Sequence, residues 1–288
     1  MKTVKTKGSK LFSIVNDLFF AVLSLTMVYP FWHQICLSLS DNNLAKSGGF
    51  FLWPRGFDTA GYQVVFSSRY IWTAFLNSIF VTVVTMALSL LICSGLAYLI
   101  SKRHLRLSRT LRFLVLFAFL FSGGMIPTYL VVKATGIMNT LWSLIVPVLF
   151  APYNILIITS FFDQLPPSME ESALIDGADY FTVFFRIVLP LSKPVLATVA
   201  IWIAVAQWNG YLNALLYIND RGKYILPLLI RDIVLSASDL ANLEAFAMTN
   251  TDIINAATIV VATLPILIVY PFLQKYFTKG IMLGAVKG

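Results

Sequence analysis

The chain has 288 residues, of which 58% are hydrophobic and only 12% charged, where a soluble domain carries about 25% charged residues. That deficit excludes an ordinary water-facing globular domain and points to a lipid environment. The net charge of +8 does not indicate a nucleic-acid binder, because the basic residues are scattered between apolar runs and form no single patch.

In chain order, Lys2, Lys5, Lys7 and Lys10 precede the apolar run 11–36. The run exceeds the roughly 7–15 residues of a signal-peptide core and no A-x-A site follows it, so it reads as a retained first span. A spanning helix needs about 20 mostly apolar residues. Hydropathy then predicts six spans, near 13–35, 71–100, 113–132, 141–161, 195–217 and 254–273. The short apolar run 224–230 stops at Arg231-Asp232 and reads as an interfacial or re-entrant piece. Pro127, Pro147, Pro152 and Pro265 fall inside spans, where proline kinks a helix; Gly123-Gly124 adds a flexible point beside Pro127. Such breaks favour a gated path over plain packing, which they also fit.

Six spans put both termini on one side, and the positive-inside rule chooses which. With the N-terminus inside, the inner segments hold fourteen basic residues: the four N-terminal lysines, then Lys102, Arg103, Arg106, Arg109, Arg112, Arg186, Lys193, Lys275, Lys279 and Lys287. The outer segments hold seven: Lys46, Arg55, Arg69, Lys133, Arg221, Lys223 and Arg231. The chain is therefore expected to be all-α, N-in and C-in, a single transmembrane domain over 1–288 with a cytoplasmic loop at 162–194 between spans four and five.

Within that loop the stretch 170–190 holds Glu170, Glu171, Asp176 and Asp179, four of the thirteen acidic residues. Ser168 stands three residues before Glu171, the spacing of a capping box, which predicts a helix from Met169 to Ile175. Gly177 follows as a left-handed stop, and a second helix begins near Asp179 with Phe181, Phe184, Phe185 and Val188 at helical spacing. Pro190 and Pro194 end it. Helices that rest on headgroups usually carry Lys and Arg on the polar face; this acidic hairpin suits a protein partner better.

The residues Glu171, Ser172, Ala173, Asp176, Gly177 and Ala178, then Ile187, Leu189 and Pro190 after the stretch 178–186, resemble the EAA loop of ABC-importer permeases, with Ser172 where that family usually has Ala. The resemblance extends along most of the chain to the second permease of carbohydrate importers of the maltose-transporter type. It rests on NSIFVT at 77–82, GGMIPTYL at 123–130, WNGYLNALLYI at 208–218 and QKYFTKGIMLGAVKG at 274–288. The tail and LPPSMEESALIDGA at 165–178 look closest to a Gram-positive subgroup importing complex oligosaccharides.

The resemblance implies a type I ABC-importer fold in a bacterial plasma membrane. It also implies a second permease, two cytoplasmic ATPase subunits that carry ATP and Mg²⁺, and an extracytoplasmic substrate-binding protein that delivers a carbohydrate. It places ATPase coupling on Glu170, Glu171, Ser172, Ala173, Asp176, Gly177, Ala178, Ile187, Leu189 and Pro190. No G-x-x-x-x-G-K-[ST] loop occurs in the chain, so no cofactor is expected on it, and no catalytic or metal set is read.

The fifth span carries Gln207, Trp208, Asn209, Tyr211 and Asn213. Amides inside a span are costly unless paired or wetted, and aromatic faces with amides suit a sugar, so these residues and Asn77 and Ser78 in span two are candidates for a translocation path. Inter-helix packing is the competing account. The outer loops 36–70 and 218–253, with Trp53-Pro54, Asp220-Arg221 and Asp239, are the expected docking surface for a binding protein. His33 and His104 read as isolated interface or loop residues, and Cys36 and Cys93 as packed membrane thiols. Import of a non-sugar solute is the nearest alternative. An ion-coupled secondary transporter would need mid-span ionisable residues, and a membrane enzyme a convergent acid, His or metal set; neither is present.

Overall fold

A computed structural model describes residues 7–45, 48–102, 105–235, 252–265 and 267–268. Residues 266 and 269–273 of the predicted sixth span, the tail after it, Asp239, Arg103 and His104 lie outside the described residues. Those that are described are helical, with one isolated antiparallel bridge, Ser40 to Phe57. The helices are α1 (Lys7–Ser38), α2 (Asn42–Ala45), α3 (Ala60–Ser67), α4 (Arg69–Ser101), α5 (Arg106–Leu120), α6 (Met125–Ala134), α7 (Trp142–Ile145), α8 (Pro152–Phe162), α9 (Pro167–Ile175), α10 (Tyr180–Leu191), α11 (Lys193–Asn209), α12 (Leu212–Tyr217), α13 (Leu226–Leu235) and α14 (Asp252–Pro265).

Among the described residues, two unbroken helices are long and apolar enough to cross a bilayer: α1 over Phe12–Ser38 and the 33-residue α4. At 1.5 Å per residue α4 is about 50 Å long, well beyond a hydrocarbon core of about 30 Å. The predicted third and fourth spans are not continuous. α5 ends at Leu120, and α6 leaves at 117° to it. Gly124 takes a φ of 83°, a conformation open to glycine and costly elsewhere, so the flexible point read beside Pro127 is a full break. The fourth span bends by 47° between Trp142–Val148 and α8, where a 3₁₀ turn over Val146–Val148 carries Pro147, and Pro152 sits in the first turn of α8. The predicted fifth span, 195–217, is α11 and α12 separated at Gly210. The apolar run 224–230 stops at Arg231-Asp232, but its helix, α13, continues through both to Leu235.

The chain divides into two compact units. One contains α1 to α3 and α14. There the loop after α1 is tied down by Ser40, whose hydroxyl donates to the Cys36 carbonyl at 2.7 Å and accepts from the Arg55 amide at 3.1 Å. The Arg55 guanidinium donates to the Gly48 and Phe50 carbonyls and lies 4.4 Å from the Phe51 ring centroid. This fixes a loop whose Phe50, Trp53 and Phe57 stand exposed. His33 packs edge-on against Tyr29 and Phe51, and Cys36 is buried with its thiol free.

The second unit contains α4 to α12. Its larger core joins Cys93, Ala97, Tyr98 and Ile100 of α4 to Val115 of α5, Ile155, Ile158 and Phe162 of α8, Val183, Phe184 and Val188 of α10, and Val199 and Ile203 of α11. Burying each such side chain contributes about 1.5–3 kcal/mol against water; in lipid the gain comes chiefly from close packing. The inner end of α4 is closed by polar contacts: the Ile100 carbonyl accepts from the Ser108 hydroxyl at 2.6 Å and from Arg112 at 3.4 Å.

The candidate coupling hairpin and transport path

α9 and α10 form the predicted helix–turn–helix, but the first helix starts differently. Pro167 occupies its first turn, Pro166 is the N-cap, and no side chain caps it. Proline presets the helical φ and has no N–H to satisfy. The Pro166-Pro167 pair therefore nucleates the helix before Ser168, which falls inside the first turn; the Ser168–Glu171 box does not form. Glu171 is exposed. Glu170 instead forms an ion pair with Lys102 at the inner end of α4.

The turn is as the glycine required. Gly177 has a φ of 85°, its amide donates to the Leu174 carbonyl at 3.1 Å and the Ala178 amide donates to the Ala173 carbonyl at 2.9 Å. These are the two bonds of a Schellman cap, which satisfy the orphan carbonyls at the end of α9. Asp179, extended at φ −82° and ψ 165°, caps α10 by accepting from the Thr182 amide at 2.9 Å. Hydrogen bonding from Thr182, side chain and then amide, holds the Asp179 carboxyl below its ordinary range, so it stays ionised at neutral pH.

α10 is a π-helix over Phe184–Val188. The Leu189 amide reaches back five residues to Phe184, which makes room where the Pro190 ring would meet the Arg186 carbonyl. After Ser192 the chain turns by 80° into α11, with Pro194 in the first turn. The widened turn also splits the predicted apolar stripe. Phe184 and Val188 are buried together with Val183, whereas Phe181 is 75% and Phe185 50% exposed. Ala173, Leu174, Ala178 and Leu189 pack half-buried on the core, as Ile187 is half-buried by exposure. The opposite side presents Ile175, 85% exposed, with Glu171, Ser172, Asp176 and Pro190. The result is an exposed apolar tip flanked by the Glu171 and Asp176 carboxylates on a capped turn.

The candidate path residues separate into two groups. Asn77 donates to the Tyr224 and Gly222 carbonyls at 3.0 and 3.3 Å, and the buried Ser78 hydroxyl accepts the Leu226 amide at 2.7 Å. Both bind the segment after α12 to α4. Gln207 donates to the Thr85 hydroxyl and the Leu144 carbonyl, each at 3.1 Å, and Asn209 to Val205 of its own helix at 2.8 Å. Trp208 meets Phe75 edge-on at 6.1 Å, while Tyr211 and Asn213 are exposed.

Hydropathy gave no sign of two further features. Asn139 adopts a φ of 57°, and its side-chain oxygen accepts the Asn219 and Asp220 amides at 3.1 and 3.0 Å. A cavity of about 370 Å³ is lined by residues that include Thr85, Tyr153, Asn154, Trp202 and Gln207. Tyr153 and Trp202 stack at 5.7 Å; Asn154 is 9% exposed. The signal in the sequence was an Asn two residues past the span-breaking Pro152, in Pro152-Tyr153-Asn154. Among the described residues no group of three or more His, Cys, Asp or Glu is placed to hold a metal.

Comparison with known proteins agrees with this architecture. The profile of the family described as binding-protein-dependent transport system inner membrane component matches residues 95–283. The chain is 45% identical over 287 residues to Protein LplC of Bacillus subtilis, covering 98% of this chain and 97% of that one. It is 42% identical to the polygalacturonan/rhamnogalacturonan transport system permease protein YtcP of the same organism, over 97% and 99% of the two chains. A chain from the crystal structure of a bacterial ABC transporter involved in import of the acidic polysaccharide alginate superposes with a TM-score of 0.89 at 29% identity, over 96% of this chain and 100% of that one.

Proposed function

Because the chain belongs to the family of binding-protein-dependent transport system inner membrane components, we propose that it is one permease of a heterodimeric ABC importer for an oligosaccharide. It contributes half of the path and takes its energy through α9 and α10 from a separate ATPase. The observation that carries this is the hairpin. Its inner side is welded into the core that joins α4, α8 and α11, and its outer side exposes Ile175 and Phe181 beside Glu171 and Asp176. A push on that tip reaches the spanning helices through packed side chains, which transmit strain because interiors are close-packed.

In this reading Glu170, Glu171, Ser172, Ala173, Asp176, Gly177, Ala178, Ile187, Leu189 and Pro190 are the ATPase-facing segment, lying on the cytoplasmic face of a bacterial plasma membrane. Trp208, Asn209, Tyr211 and Asn213 line the path, with Asn77 and Ser78 setting its wall. The exposed Trp53 loop and the 218–223 turn face the binding protein. A pectic or alginate oligosaccharide is the cargo class to which the relatives' names point.

The test is expression of this chain with its chromosomal neighbours. A second permease and an ATPase should co-purify with it, and ATP-driven uptake of labelled oligogalacturonides or alginate fragments into proteoliposomes should require all of them together with a binding protein. Transport by this chain alone would overturn the proposal.

A further inference from the structure

The hairpin is joined through the backbone to α8 and α11 only. α4 lies far away in sequence, and any displacement of α9 and α10 reaches it through non-covalent contacts. One of those contacts is charged. The Lys102 ammonium, just past the end of α4, pairs with the Glu170 carboxylate in α9, and the two side chains are only 15% and 18% exposed. The same ammonium lies 4.5 Å from the centroid of the Tyr98 ring, and Tyr98 in turn contacts Phe184 of α10 at 5.1 Å. Among the described residues, Glu170 is the one acid of the hairpin held in an ion pair; Glu171, Asp176 and Asp179 face outward.

Apolar contacts of α4 with the hairpin transmit compression through close packing but have no directional bond to resist sliding along the contact. A charge-assisted hydrogen bond is short, directional and strengthened by partial burial. We propose that Lys102 is a positioning residue for energy coupling: with Glu170 it forms a strut that carries displacement of the hairpin to α4, so that α4 moves with α8 and α11. This rests on the reading of the hairpin as the ATPase-facing segment.

The experiment uses the complete importer in lipid nanodiscs, with a nitroxide at Leu76→Cys on α4 or at Leu212→Cys on α12, both exposed positions. Cys36 and Cys93 are buried and do not compete for the label. Trapping with ATP and vanadate should change both spectra in the otherwise unaltered chain. In Lys102→Gln the change at Leu76→Cys should fall by about five-fold, within the usual range of coupling between sites, while the change at Leu212→Cys persists. The exchange Lys102→Glu with Glu170→Lys should return the response at Leu76→Cys.

An undiminished response at Leu76→Cys in Lys102→Gln overturns the strut. So does a loss at both positions that the exchange does not restore, which would make the pair a fold contact only. No response at either label in the unaltered chain refutes the docking of the hairpin itself, and is thereby told apart from failure of the strut.

Discussion

Gly177 shows how one residue can be demanded by backbone and by surface for separate reasons. Its φ of 85° costs an L-residue about 1–2 kcal/mol, and the Schellman bonds that close α9 depend on it. A Cβ at this position would meet no atom within 4 Å, so the side chain of a substitution projects into the face the hairpin offers its partner. Gly177→Ala should therefore cost only the backbone term and leave much of the uptake. Gly177→Trp should lower ATP-driven uptake by about ten-fold or more, equivalent to at least 1.4 kcal/mol of lost coupling, with normal amounts of protein in the membrane. Both are read by uptake in proteoliposomes against immunoblotted membrane levels, and normal uptake by the Trp variant would refute the docking face. Gly177 and Asp179 were legible in the sequence because each acts on bonds within three residues of itself. Ser168 was misread because the same local grammar held two competing starts, and a proline in the first turn prevailed over a hydroxyl at the cap. The partner of Glu170 was not legible at all, since nothing local to Glu170 specifies a lysine 68 residues away.

At the scale of elements, the spans were legible as lengths of apolar sequence but not as straight or broken. Hydropathy sums over a window and is blind to where a helix bends, so 113–132 scored as one span although α5 and α6 diverge by 117°. Prolines and Gly123-Gly124 marked the right places without saying how far the chain turns. The polar residues of span two show the same limit: Asn77 and Ser78 invited a role toward substrate, and their bonds to backbone groups of 222–226 were not legible. An irregular segment packed against a membrane helix leaves amides and carbonyls that lipid cannot satisfy, and these two side chains satisfy them. Ser78→Val, which has the shape of Ser78→Thr, removes the acceptor and leaves the buried Leu226 amide unpaired at a cost of about 1–3 kcal/mol. The expected result is a lowered melting temperature of the purified protein in detergent, with Ser78→Thr near the unaltered value. Equal melting of Ser78→Val and the unaltered protein would show that the Ser78 bond carries no stability.

For the whole molecule, the decisive quantity is the placement of charge along an apolar chain. Moving Lys or Arg across a bilayer is expensive, and insertion retains them on the cytoplasmic side; fourteen basic residues against seven put the hairpin there and the turn after α12 on the opposite side. The consequence for energy conversion is direct, because a hairpin on the outer face would never meet ATP. It can be checked with two single cysteines at exposed positions, Ile175→Cys at the tip of the hairpin and Asn219→Cys after α12, the native thiols being buried. A membrane-impermeant maleimide applied to intact cells should label Asn219→Cys and spare Ile175→Cys, and inverted vesicles should give the reverse. Asn219 contributes its backbone amide, not its side chain, to the clamp on Asn139, so the substitution leaves that contact in place. Labelling of Ile175→Cys from outside intact cells would invert the topology, and a hairpin facing away from ATP would remove it from energy coupling altogether.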